Sequence, residues 1–101
     1  MNKIKTILNE RNKEYGNFAD NSYISQSFKK VQRENQKRML TNMQQEALDM
    51  IFHKIARIIN GNPNNKDSWL DIAGYATLVA DGIEDESTDN NYQVIKQKDY
   101  K

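Results

Sequence analysis

At 101 residues, with 29% of them charged and 15 basic against 14 acidic side chains, the chain reads as one domain. Its net charge of +1 gives no overall push toward nucleic acid, membrane or an acidic ligand. The absence of cysteine excludes disulfides, thiolate nucleophiles and Cys-ligated zinc, which leaves carboxylates and a single histidine as metal ligands.

The first segment places Ile4, Ile7, Leu8 and Arg11 at helical spacing and should stop near Tyr15 and Gly16, glycine supplying a left-handed end. A second amphipathic helix is predicted from an Asn21-Ser22 cap to about Gln36, with Ile24, Phe28 and Val31 on one side and many cations on the other. Thr41 and Gln44 have the spacing of a capping box, and the helix they open should run to Asn60-Gly61, with Pro63 preventing its resumption. On that third helix Ala47, Leu48, Ile51, Phe52, Ile55, Ile58 and Ile59 fill a broad apolar face. Glu46, Asp49, His53 and Arg57 form the opposite stripe.

A fourth helix should begin between Asn65 and Asp67 and continue to about Ile83, its apolar side carrying Trp69, Ile72, Ala73, Ala76, Val79, Ala80 and Ile83. Leu70 and Leu78 fall outside that side, so this helix is expected to be contacted on more than one face, either central in the domain or at a subunit interface. Gly74, in mid-helix, suggests close approach of a backbone or a ligand. The expected architecture is therefore an all-α, four-helix bundle over residues 1–86, followed by a polar C-terminal tail over 87–101. Nothing has the length of a signal sequence or of the ~20 apolar residues needed to span a bilayer, so no membrane partner and a cytoplasmic location are expected.

The chemistry concentrates in two acidic pairs, Glu46 with Asp49 and Asp67 with Asp71. Carboxylates three or four residues apart share one helix face, and two such faces brought together can hold a divalent cation. Oxygen-only ligands suit magnesium or manganese better than zinc. A wet helix face is the usual explanation for residues placed like Glu46 and Asp49, and Asp67 can cap the fourth helix. Asp71 lies one turn beyond Asp67, and this like-charge pair calls for a cation between them: Lys66, Lys54 or a metal ion. Lys54 borders the apolar face, where its stem can be buried while the ammonium reaches an anion. His53, one turn after Asp49, reads as an ordinary surface histidine.

Three stretches carry a resemblance: RNKEYGNF from Arg11, EALDMI-x-x-KIARI from Glu46, and D-x-W-x-DIAGYA from Asp67. Together they resemble the all-α nucleoside triphosphate pyrophosphohydrolases, the MazG-like and dimeric dUTPase superfamily, and especially its small phage- and prophage-encoded relatives. Members carry E-E-x-x-E on one helix and E-x-x-D on the next, and these hold magnesium over the triphosphate. On this chain the first becomes Gln45-Glu46-x-x-Asp49 and the second Ser68-x-x-Asp71, so two glutamates are missing and a third is shortened. The resemblance implies a nucleotide ligand, Mg2+ or Mn2+ held by Glu46, Asp49 and Asp71 with Asp67 auxiliary, and phosphate contacts from Lys54, Arg57 and Lys66. Glu46, Asp49 and Asp71 would then be the catalytic groups orienting water at phosphorus.

The turn Tyr15-Gly16-Asn17-Phe18 could stack or hydrogen-bond a nucleobase, and equally could pin the first helix to the core. The resemblance further implies a homo-oligomer, dimer or tetramer, in the host cytoplasm if the chain is phage-encoded. Two functions follow: a magnesium-dependent pyrophosphohydrolase acting on a nucleoside triphosphate or related nucleotide, or a non-catalytic protein that binds or sequesters a nucleotide or nucleotide second messenger. The missing glutamates favour binding over turnover. The cations Lys29, Lys30, Arg33, Lys37 and Arg38 read as a solvated face rather than a nucleic-acid surface, because net charge is near zero and no groove-reading motif is evident.

Overall fold

The computed structural model describes residues 2–83, and the tail expected over 87–101 lies outside them. The described residues form four helices and no strand: α1 (Asn2–Tyr15), α2 (Phe18–Asn35), α3 (Asn42–Asn60) and α4 (Lys66–Gly82). The capping box at the start of α3 is present in full. Gln44 N–H donates to Thr41 Oγ1 at 3.1 Å, and Thr41 N–H donates to Gln44 Oε1 at 2.9 Å, so two orphan amides satisfy each other's residues.

Helix α2 starts one turn earlier than Asn21-Ser22. Asn17 is its cap, accepting from Asp20 N–H at 2.8 Å, and this frees Asn21 for tertiary work. At the start of α4 the cap is Asn65, which accepts from Ser68 N–H at 3.0 Å, so Asp67 sits in the first turn rather than at the cap.

The central helix is α3. It packs against both α2 and α4 and touches α1, whereas α4 meets chiefly α3, so α3 and not α4 is the central helix of the chain. Helix α2 packs beside the polar stripe of α3: Phe28 stacks on the neighbouring Phe52 with ring centroids 5.7 Å apart, and Asp49, His53 and Arg57 are half-buried while Glu46 stays exposed. Ala56 is completely buried in α3, and Ala47 nearly so, since small side chains let neighbouring helices approach. These two alanines are the buried apolar residues among those described, and no large side chain is fully enclosed.

Gly74 meets nothing within 4 Å of where a Cβ would stand, so neither a backbone nor a buried contact explains it. Gly74→Ala should therefore stabilise the fold by about 1 kcal/mol through helix propensity alone. A denaturant titration checks this, and a loss of stability would mean that the position is covered after all.

A glycine stands on each side of the contact between the α1–α2 corner and the α3–α4 turn. Gly16 adopts φ +79°, and a Cβ there would fall 2.6 Å from the Asn60 carbonyl oxygen. Gly61 lies against the end of α1, where a Cβ would fall 2.5 Å from the Tyr15 backbone. Around the two glycines runs a network of amides. Asn21 donates to the Tyr15 carbonyl at 2.8 Å and accepts from Asn60 at 3.2 Å. The Glu14 carboxylate accepts from Asn62 at 3.0 Å and from Asn65 at 2.7 Å, while Asn62 N–H donates to the Glu14 carbonyl at 2.7 Å. The α1–α2 corner is thereby clasped to the α3–α4 turn by polar groups with their partners in place.

Candidate functional site

The clasp creates a cleft of about 310 Å³ between the end of α1, the start of α2 and the second half of α3. Arg11 and Tyr15 reach it from α1, one helical turn apart, and His53 and Arg57 reach it from α3 with the same spacing. Gly16 and Phe18 form its rim. The Arg57 guanidinium lies 4.3 Å from the centre of the Tyr15 ring, and that of Arg11 lies 6.0 Å from it. Among the described residues no carboxylate stands within ion-pair distance of either arginine, so both guanidinium groups keep donors for a ligand.

Phe18 is 77% exposed, and therefore does not pin α1 to a core; Tyr15, half-buried beneath Arg57, does. The two aromatics proposed for a nucleobase are thus brought to one cleft with Arg57. Lys66 is exposed at the first turn of α4 and does not line it.

His53 is half-buried in this cleft rather than on an open surface. Burial first, then the positive charges of Arg57, Lys54 and Lys29, hold its pKa below the ordinary 6.5. The folded state therefore favours neutral imidazole, while the unfolded chain takes up a proton sooner as the pH falls. The resulting stability is present above 6.5 and lost as the pH drops through the lowered value. Melting temperature should accordingly fall between about pH 7 and about pH 5 with a component that His53→Gln removes; an unchanged pH profile in that variant would show that His53 does not titrate in this way.

The acidic residues do not converge. Asp49 Oδ1 accepts from Gln45 Nε2 at 2.9 Å and stands 4.0 Å from Lys29 Nζ. Gln45 in turn exchanges hydrogen bonds with Gln32 on α2 at 2.7 and 3.2 Å, so it knits α2 to α3. Asp71 Oδ2 pairs with Lys54 Nζ at 3.0 Å, and Lys54 is the cation that offsets the Asp67–Asp71 repulsion. Its side chain is 14% exposed, the stem lying between α3 and α4 as expected of an amphipathic lysine. Glu46 and Asp67 are exposed on their own helices.

Among the described residues no group of three or more acidic or histidine side chains is placed to hold a metal ion. The two carboxylates at helix seams already have an ammonium or amide partner, and a hard cation asking for several oxygen ligands finds no such set. Within one chain, then, the described residues do not gather three of Glu46, Asp49, Asp67 and Asp71 around one ion. Of the five cations from Lys29 to Arg38, Lys30 pairs with Glu34 at 2.8 Å and Lys29 approaches Asp49 at 4.0 Å.

Sequence reasoning missed Arg11, His53 and Asn21 as site residues. The signal for the first two was available: an arginine one turn before Tyr15 and a histidine one turn before Arg57. The chain belongs to the family described as a domain of unknown function, DUF6378, whose model matches residues 1–82. No curated protein matches the chain, and no solved structure does.

Proposed function

We propose that the protein binds a nucleotide in the α1–α2–α3 cleft and does not turn it over. The observation that carries this reading is the pairing, in one concave site, of two arginines without carboxylate partners among the described residues and two aromatic rings, Tyr15 and the exposed Phe18. Guanidinium groups suit phosphate oxygens, and a planar base can stack on an exposed aromatic. The resemblance to MazG-like proteins supports a nucleotide as the ligand. The engagement of Asp49 and Asp71 by cations and an amide supports binding rather than hydrolysis.

The test is calorimetry of the full chain against a nucleotide panel, followed by chromatography of the mixtures after incubation with magnesium. Saturable binding with unaltered nucleotide is expected. Multiple turnover would replace this reading with the pyrophosphohydrolase.

The functional unit is a homo-oligomer. A groove of about 410 Å³ runs between α3 and α4, lined by Leu40, Leu48, Ile51, Val79 and Ile83 among others, and no large apolar side chain of the described residues is fully buried. A chain of this size gains much from covering such a face. Sedimentation equilibrium should give at least twice the 11.8 kDa of the single chain, and a monomer at micromolar concentration would contradict it.

A further inference from the structure

We infer that the cleft is built for a nucleoside monophosphate bound without a divalent cation. This rests on the nucleotide-binding reading above and narrows it to one ligand class by charge, size and the disposition of the acids.

Arg11 and Arg57 both approach the Tyr15 ring and supply two positive charges to the cleft, and His53, in the same lining, is held toward the neutral form by burial and its cationic neighbours. Two guanidinium groups balance one phosphate dianion. A triphosphate carries roughly twice that charge at neutral pH and normally arrives with magnesium, which itself asks for one or two carboxylates. Here no carboxylate of the described residues lines the cleft. The lysines that could have added charge are committed elsewhere: Lys54 to Asp71 at 3.0 Å, and Lys29 toward Asp49 at 4.0 Å.

Size points the same way. The cleft volume of about 310 Å³ lies at the lower end of the range of small-molecule sites, roughly 300 to 1,000 Å³. A single ring system with its sugar and one phosphate fills such a space, with Phe18 at the rim as the stacking surface. The Tyr15 face beneath Arg57 is already taken by that guanidinium at 4.3 Å, which fixes the planar donor set before the ligand arrives. The side-chain amide of Asn12, also in the lining, is the polar group that a base or ribose edge would meet.

The experiment is calorimetric titration of the full chain, in EDTA and again in magnesium, with ribo- and deoxynucleoside monophosphates, the matching triphosphates, the nucleosides and inorganic phosphate. At least one monophosphate should bind in EDTA, its affinity should change by less than about threefold with magnesium, and its triphosphate, nucleoside and free phosphate should each bind at least about tenfold more weakly. Arg11→Gln, at an exposed position, should weaken that monophosphate about tenfold with little change in melting temperature.

Tight binding confined to a triphosphate with magnesium would overturn the inference and leave nucleotide binding standing. Equal affinity for inorganic phosphate would overturn it by showing that the ring contributes nothing. Binding that Arg11→Gln does not change would place the ligand outside this cleft. Absence of binding by every nucleotide, in either buffer, would remove both the inference and the reading on which it rests.

Discussion

Gly61→Ala is expected to cost about 3 kcal/mol of stability, lowering the melting temperature of so small a domain by roughly 15 °C. The reason is the kind of atom that the new methyl would meet. Its Cβ would stand 2.5 Å from the Tyr15 Cα and carbonyl carbon, and still closer to the Glu14 carbonyl oxygen, all of them backbone. No rotamer change can relieve such contacts, so α1 has to move away from the α3–α4 turn. That movement would stretch the Asn62 N–H bond to Glu14 and misplace Tyr15, which carries the Arg57 stack.

Thermal or urea unfolding measures the loss, and calorimetry should show nucleotide affinity falling with it, because the cleft depends on the position of α1. The comparison with Gly74→Ala is built in. The same substitution in the same chain is expected to stabilise where nothing lies within 4 Å and to destabilise where backbone does. Gly61→Ala with wild-type stability would mean that α1 is not seated against the α3–α4 turn.

Helix content was legible because its signals are local. Thr41 with Gln44, Gly16 and the Asn60-Gly61-x-Pro63 run each act within a few residues, and each does in the structure what its type demands. Asn21 shows where local reading ends. As one of the good capping residues near a helix start, it competes with Asn17, and the choice is made by tertiary partners that the sequence does not order: the Tyr15 carbonyl and the Asn60 amide. The stripe of Glu46, Asp49, His53 and Arg57 was read correctly as one face of α3, but its surroundings were not, since periodicity cannot say which neighbour covers a polar face. Helix α2 covers the Asp49 and His53 part, which turns a presumed solvent face into an ion pair and one wall of a cleft.

Spacing places Asp67 and Asp71 on one side of α4, and a neutralising cation was anticipated there, but spacing does not choose between a lysine and a metal. Lys54 is seated between α3 and α4 with its ammonium 3.0 Å from Asp71, and that contact settles the local charge balance within the protein itself. With Lys54 largely covered and Asp71 about half exposed, the pair's clearest consequence is that it occupies the carboxylate.

Arg57→Lys is expected to weaken nucleotide binding by about 10- to 100-fold while changing stability by less than about 1 kcal/mol. Charge is conserved in this exchange, so a purely Coulombic site would tolerate it. What is lost is the planar donor set, held 4.3 Å above the Tyr15 ring and able to meet two phosphate oxygens at once. A lysine at the same place offers a point charge on a mobile stem, and ordering that stem on binding costs entropy that the stacked guanidinium has already given up. Tyr15→Leu should produce a loss of similar size by removing the platform, and Tyr15→Phe should not, because the ring face and not the hydroxyl supports the guanidinium. The double variant Arg57→Lys with Tyr15→Leu should then bind little worse than either single one, since both remove the same preorganised group. Strict additivity in that cycle, measured by calorimetry, would show that Tyr15 and Arg57 act on the ligand independently and that the stack is not what presents the cation.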